Sequence, residues 1–102
     1  MDRGFEQLSV DFTVQAQKLF MSTYEKFRLC IKKLDRQRDE NVFQLQVEKF
    51  IVTLKLQLES IAHELLMKDK TLKDLDHYNK LLQDKIMIYL REFIQKTRSL
   101  WH

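Results

Sequence analysis

Few residues in this sequence are of a type and spacing that could do chemistry. The candidate metal ligands are the single cysteine and the three histidines, Cys30, His63, His77 and His102. His63 and His77 are two heptads apart, roughly 21 Å along a helix, which is too far to share a metal ion. Because the other two lie elsewhere in the sequence, no metal-ligand spacing exists, and we expect neither a metal ion nor a cofactor.

Catalytic motifs are also missing from the sequence. Asp74 and Asp76 are close in sequence but point to different sides of a helix, so they do not form a paired acid/base site. A single glycine, Gly4, excludes a Gly-rich phosphate loop. No Ser/His/Asp or Cys/His arrangement follows from the spacing. We therefore expect no catalytic residues and no enzyme activity.

The strongest local charge signal is a run of six basic residues, Lys26, Arg28, Lys32, Lys33, Arg36 and Arg38. Such a face could meet nucleic-acid phosphate, anionic lipid or an acidic protein surface. An ordinary solvated helix face also explains it, because a base-reading basic helix would be denser and would lead directly into a zipper. We keep the run as a candidate face for an anionic partner.

The composition predicts an all-α protein. The 102 residues include no proline and one glycine, so the residues that typically form tight turns between strands are almost absent. The formal net charge is only +3, and no charged tail is present. One cysteine cannot form an internal disulfide and the amino terminus does not resemble a signal peptide, so we expect a nuclear or cytoplasmic location. The longest apolar run, residues 86–90, is far below the roughly twenty residues of a transmembrane span.

Two series of residues that repeat every seven positions dominate the sequence after Val47. The first is Ile51, Leu58, Leu65, Leu72, Asn79, Ile86, Phe93 and Leu100, and the second is Val47, Leu54, Ile61, Lys68, Leu75, Leu82 and Tyr89. They occupy the core-facing a and d positions of a heptad repeat. The pattern predicts one long coiled-coil helix over about residues 42–98, with a length of about 85 Å.

A shorter helix is predicted before it, over about residues 5–35. Its apolar face is Phe5, Leu8, Phe12, Ala16, Phe20, Tyr24, Phe27, Ile31 and Leu34, and this aromatic, unevenly spaced row favours packing in a bundle. The seven polar residues 35–41 then predict a turn. Asn41 and Gln44 resemble a capping box that starts the next helix at Val42, although an unbroken helix is the alternative.

A second candidate break lies at residues 68–71, where Thr71 and Asp74 resemble a helix cap. We favour continuity, because both seven-residue series keep their phase across this segment. The two helices then form a hairpin in which the first covers only the near half of the second, and residues 1–102 make a single structural unit. A closed three-helix bundle that turns near Lys70 is the alternative.

The uncovered half predicts an interface with other helical chains. The predicted partner-interface residues are Ile51, Leu58, Ile61, Leu65, Leu72, Leu75, Asn79, Leu82, Ile86, Tyr89 and Phe93, of which those from Leu72 onward lie in the uncovered half. Additional apolar residues at b, c and e positions widen this surface, namely Leu66, Met67, Leu81, Met87, Ile88, Leu90 and Ile94. A parallel homodimer would oppose Glu64 and Asp69, so a hetero-oligomer is the better interpretation. Asn79 either fixes the register with a partner or faces solvent.

Residues 64–69 (Glu-Leu-Leu-Met-Lys-Asp) and 77–81 (His-Tyr-Asn-Lys-Leu) resemble the long helix of small Mediator subunits. Similar residue patterns recur in subunits of kinetochore, centrosomal and vesicle-tethering complexes, so the resemblance does not identify one family. The sequence as a whole predicts a non-catalytic helical scaffold that co-folds with other chains in a larger intracellular complex, in the nucleus or the cytoplasm. The alternative is a basic helical adaptor that binds nucleic acid or an anionic membrane through residues 26–38, and nucleic acid is the less favoured partner.

Overall fold

The chain folds as three α-helices in the computed structural model, which describes residues 3–68 and 73–101 and only the backbone of Arg3 and Gly4. The helices are α1 (Arg3–Ile31), α2 (Glu40–Lys68) and α3 (Leu75–Trp101). No strand occurs in the described residues, so the predicted all-α class is confirmed. The three helices pack side by side in a bundle that measures 53 × 19 × 18 Å.

The single helix predicted over residues 42–98 is wrong. α2 ends at Lys68, α3 begins at Leu75, and the two helices pack against each other along their lengths. A rod of about 85 Å would not fit within the 53 Å long axis of the bundle. The closed three-helix bundle, which was the alternative, is the observed fold. The predicted Thr71 cap lies outside the described residues.

Asp74 caps the start of α3. Its carboxylate oxygen Oδ1 accepts a hydrogen bond from the His77 amide at 3.1 Å, and its carbonyl accepts one from the Tyr78 amide at 3.1 Å. The first bond satisfies one of the amides that a helix start leaves without an intrahelical partner. The two seven-residue series therefore span two separate helices, which run in opposite directions.

Two aspartates organise the connection between α1 and α2. Asp35 Oδ1 accepts hydrogen bonds from the amides of Gln37 and Arg38 at 2.8 and 3.2 Å, and Asp39 Oδ2 accepts one from the Asp35 amide at 2.9 Å. A turn in this polar segment was predicted, but α2 begins at Glu40 rather than at Val42. Asn41 consequently lies inside the helix, and the predicted capping box is wrong.

The core runs the whole length of the bundle. α1 contributes Leu8, Phe12, Ala16, Phe20, Phe27 and Ile31, with Phe5 and Tyr24 partly buried against them, so its predicted apolar face is confirmed over these residues. The helix ends at Ile31 rather than near residue 35, so Leu34 packs against the core from the connection. α2 contributes Phe43, Val47, Leu54, Leu58, Ala62 and Leu66. α3 contributes Leu82, Ile86, Leu90, Phe93, Thr97 and Trp101.

Aromatic pairs show how the helices are aligned. Phe5 stacks on Tyr78 near the start of α1 and α3, and Phe20 meets Phe93 edge-on further along, so these two helices run parallel. Phe43, near the start of α2, stacks on Trp101 at the end of α3 with ring centroids 4.3 Å apart. α2 is therefore antiparallel to both, and it packs more extensively against each of them than they pack against each other.

Truncating Phe93 to alanine should destabilise the whole bundle. Its ring is fully buried and contacts Phe20 and Phe27, so we expect a loss of about 3 to 5 kcal/mol in the free energy of unfolding. Ile88→Ala on the exposed side of the same helix should stay within about 0.5 kcal/mol. Urea unfolding followed by circular dichroism measures both. Equal effects of the two changes would contradict the assigned core.

Replacing Asp74 by alanine should weaken α3 at its start. Loss of the hydrogen bond to the His77 amide should cost about 1 kcal/mol. Asp84→Ala, which removes the same charge from an exposed mid-helix position, is the matched control and should cost clearly less. The free energy of unfolding checks this, and an equal loss for the two variants would show that Asp74 does not act as a cap.

Candidate interaction surface

The residues that could bind a metal ion are not brought together. Cys30, His63 and His77 are exposed on three different helices, and His102 lies outside the described residues. Within residues 3–68 and 73–101, no group of three or more His, Cys, Asp or Glu side chains could hold a metal ion. Cys30 instead donates a long hydrogen bond of 3.5 Å to Gln46 Oε1 on α2.

Four of the predicted interface residues lie in the core of the chain itself. Leu58, Leu82, Ile86 and Phe93 are at most 1% exposed, and no second chain could reach them without opening the bundle. Leu82, Ile86 and Phe93 were expected to be uncovered because residues 42–98 were predicted to form a single long helix, whose far half the first helix could not reach. With α3 folded back, the chain covers these side chains with its own helices.

The other predicted interface residues divide into two groups. Half-buried side chains that pack against the core are Ile51, Ile61, Leu65 and Tyr89. Leu75 is 36% exposed and Asn79 is exposed, both near the start of α3, and Leu72 lies outside the described residues. Among the extra apolar residues, Leu66 and Leu90 are buried and Leu81 and Ile94 are half-buried. The remaining three are exposed, namely Met67, Met87 and Ile88.

A row of apolar side chains lies on the side of α2 that faces away from the core and was not predicted from the sequence. This α2 outer stripe consists of Val42, Leu45, Val52, Leu56 and Met67, and its three central members are 55%, 58% and 61% exposed. The spacings of 3, 7, 4 and 11 residues return to one face of a helix. A helical-period analysis over residues 42–67 could have found the stripe, because α2 is apolar on two opposite sides.

Charged residues interrupt and flank the stripe, and exposed Glu48 and Lys49 line a shallow depression beside Val52. Lys49 is exposed and lies one heptad after Val42 and one heptad before Leu56, so it interrupts the apolar row. Glu59 is half-buried and follows Val52 by one heptad, which places it at the edge of the row. A partner must therefore accommodate Lys49 and the carboxylates of Glu48 and Glu59 as well as the aliphatic side chains.

All six residues of the predicted anionic-partner face are exposed, namely Lys26, Arg28, Lys32, Lys33, Arg36 and Arg38. They lie at the end of α1 and in the connection to α2, as the sequence order requires. Arg28 pairs with Glu25 at 3.2 Å, and Arg38 approaches Asp39 at 3.8 Å. These exposed pairs add little to stability, but they neutralise part of the basic face.

Tyr89 joins α1 and α3 beside the core. Its ring contacts Phe12 and Phe20. Burial raises the pKa of its hydroxyl above the usual 10.0, the nearby Glu92 carboxylate raises it further, and a hydrogen bond with Thr13 lowers it. Because the folded chain holds the Tyr89 proton more tightly than the unfolded chain, this group favours folding below about pH 10.

Alkaline pH should therefore destabilise the bundle partly through Tyr89. Above about pH 10 the unfolded chain loses this proton before the folded chain does, so the free energy of unfolding should fall as the pH rises towards the folded pKa. Tyr89→Phe should make that decline shallower. Urea unfolding of both proteins across this range measures it, and parallel declines would contradict the role of Tyr89.

The comparisons with known proteins add no family assignment. No family model matches the sequence, and neither the search of curated proteins nor that of solved structures found a match. In residues 3–68 and 73–101, no helix combines the length and the apolar character that crossing a bilayer requires. The function is therefore argued from the surface of the bundle.

Proposed function

We propose that this chain is a non-catalytic helical subunit that binds an amphipathic helix of another protein along the α2 outer stripe. The observation that carries the proposal is that α2 has two apolar sides, of which one lies in the core and the other faces solvent. Isolated exposed apolar residues are normal on any protein surface. An apolar row that extends along much of one helix is different, because such patches are typical of interaction sites.

The dimensions of the stripe suit a helix as its occupant. Val42 and Met67 are separated by roughly 38 Å along the axis of α2. A partner helix with apolar side chains at i, i+3, i+4 and i+7 can follow that row and bury it. Its carboxylate should lie opposite Lys49 and a basic residue opposite Glu59, roughly 15 Å further along the axis.

A second copy of this chain fits the stripe less well. In an antiparallel pair with Val52 opposite Leu56, Lys49 faces Glu59, which is favourable. The same register places Leu45 opposite His63 and Met67 opposite Asn41, so the ends of the row meet polar side chains. A different helix can supply an apolar residue at every level, and a heteromeric partner is therefore preferred.

This proposal modifies the role expected from the sequence. The chain covers its own heptad positions, so the partner binds a folded bundle and does not need to co-fold with it. The setting remains a subunit within a larger assembly, of which a Mediator-like, kinetochore, centrosomal or tethering complex are examples. The energy of binding would come mainly from aliphatic side chains buried against the partner.

Site-specific crosslinking tests the proposal. A photo-crosslinking amino acid at Leu56 of the full chain, expressed in its native cells, should join it to a helical segment with an apolar row and a carboxylate that meets Lys49. The same amino acid at the exposed Gln95 of α3 is the positional control and should not give that product. Mass spectrometry of the crosslinked peptides identifies the segment.

Matched variants show whether the stripe is the site. Val52→Glu with Leu56→Glu should abolish the crosslink from Leu45, because two charges would be buried against the partner. Val10→Glu with Val14→Glu adds the same charge to exposed aliphatic positions of α1 and should leave it intact. Circular dichroism confirms the fold of each variant. Loss of the crosslink in the α1 variant alone, or a crosslink only between two copies of the chain, would overturn the proposal.

A further inference from the structure

A cavity of about 330 Å³ opens at the end of the bundle where α1 and α3 finish. Its apolar lining comes from Leu29, Ile31, Leu34, Leu100 and Trp101, and its cationic lining from Arg28, Lys32 and Arg36. This end cavity lies away from the middle of the α2 outer stripe and does not depend on the proposed function.

The floor of the end cavity belongs to the packed core. Trp101 is 5% exposed, and its ring stacks on Phe43 with the ring planes 15° apart. Ile31 is also buried, whereas Leu34 and Leu100 are half-buried. Apart from Leu29, which is 60% exposed, the apolar lining is therefore held in place by the bundle and does not require a ligand to form it.

The rim is cationic. Arg28 pairs with Glu25, but among the described residues no ion pair engages Lys32 or Arg36. The nearby carboxylates of Asp35 and Asp39 accept hydrogen bonds from backbone amides of the connection. Two positive side chains on the wall of the cavity are thus free to meet an anion.

Helix ends explain only part of this charge. Basic residues stabilise the carboxyl end of a helix, and Arg28 in the last turn of α1 fits that role. Lys32 and Arg36 lie beyond the end of α1 at Ile31, and both line the cavity. Their position next to Trp101 and Leu100 combines positive charge with apolar surface in one small space.

We infer that the end cavity binds a small amphipathic anion, with an aliphatic or aromatic body against Trp101 and a carboxylate or phosphate group between Lys32 and Arg36. The volume is at the lower end of the range for ligand pockets, which are largely apolar with a few placed polar groups. Charge-assisted hydrogen bonds to the anionic group would orient the ligand. Contact of its body with the apolar floor would supply most of the affinity.

The single tryptophan of the chain provides a local readout. Decanoate, below its micelle concentration, should change Trp101 fluorescence in a saturable way, and calorimetry on the full chain should give the same affinity. Decanol has the same tail without the charge, and acetate and inorganic phosphate have the charge without the tail. Each of these three should bind at least about tenfold more weakly than decanoate.

Charge-reversal variants place the anion within the basic face. Lys32→Glu with Arg36→Glu should lower decanoate affinity about tenfold or more. Lys26→Glu with Lys33→Glu makes the same change in net charge on exposed residues that do not line the cavity, and should stay within about twofold. Equal losses in the two double variants would mean a general electrostatic effect and would overturn the inference.

Two further titrations distinguish binding in the end cavity from binding to the basic face as a whole. Vesicles of phosphatidylglycerol and a short DNA duplex are titrated into the unmodified chain and both double variants. Saturable decanoate binding that depends on Lys32 and Arg36 supports a pocket for a soluble anion, whatever the vesicles do. Binding to vesicles or DNA without a saturable response to decanoate would assign the basic face to a membrane or to nucleic acid and would overturn the inference.

Discussion

The packing of Phe27 holds the three helices in their relative positions. Its fully buried ring lies 5.7 Å from the ring of Phe43 and 5.3 Å from that of Phe50 on α2, and 5.7 Å from that of Phe93 on α3. All three contacts are edge-on, which the quadrupoles of aromatic rings favour. One α1 side chain thereby fixes both neighbouring helices at the same level, and the end cavity next to Trp101 depends on that arrangement through Phe43.

The sequence predicted α1 and its buried face well, because aromatic residues at helical spacing leave few alternatives. The prediction of one continuous helix failed at residues 68–74. This segment contains neither the glycine nor the proline that usually marks a turn, and the seven-residue repeat continues across it in the sequence. The buried positions of α3, from Leu82 through Ile86 and Leu90 to Phe93, advance by fours and a three rather than by strict heptads. A straight helix drifts from a seven-residue repeat in this way, so the two series in the sequence did not correspond to one continuous buried seam.

The candidate surfaces were harder to predict than the fold. Leu45, Val52 and Leu56 are exposed because the opposite side of α2 packs against α1 and α3. α2 has an apolar row on each of these two sides, and either row could have formed the core. The sequence alone does not choose between these rows. The basic residues were found from composition, but the distinction of Lys32 and Arg36 from Lys33 required knowing that the ends of α1 and α3 lie together.

The central position of α2 links the architecture to the way in which the chain can bind others. α2 packs against both α1 and α3 with one half of its circumference, and that half carries the contacts that keep the bundle closed. Its outer half bears none of these contacts, so substitutions there change the surface at little cost to the core. A partner helix can therefore add a fourth element to the bundle without disturbing Phe27 and its neighbours. The helix that packs most extensively against both others is, for the same geometric reason, the one best placed to extend the bundle.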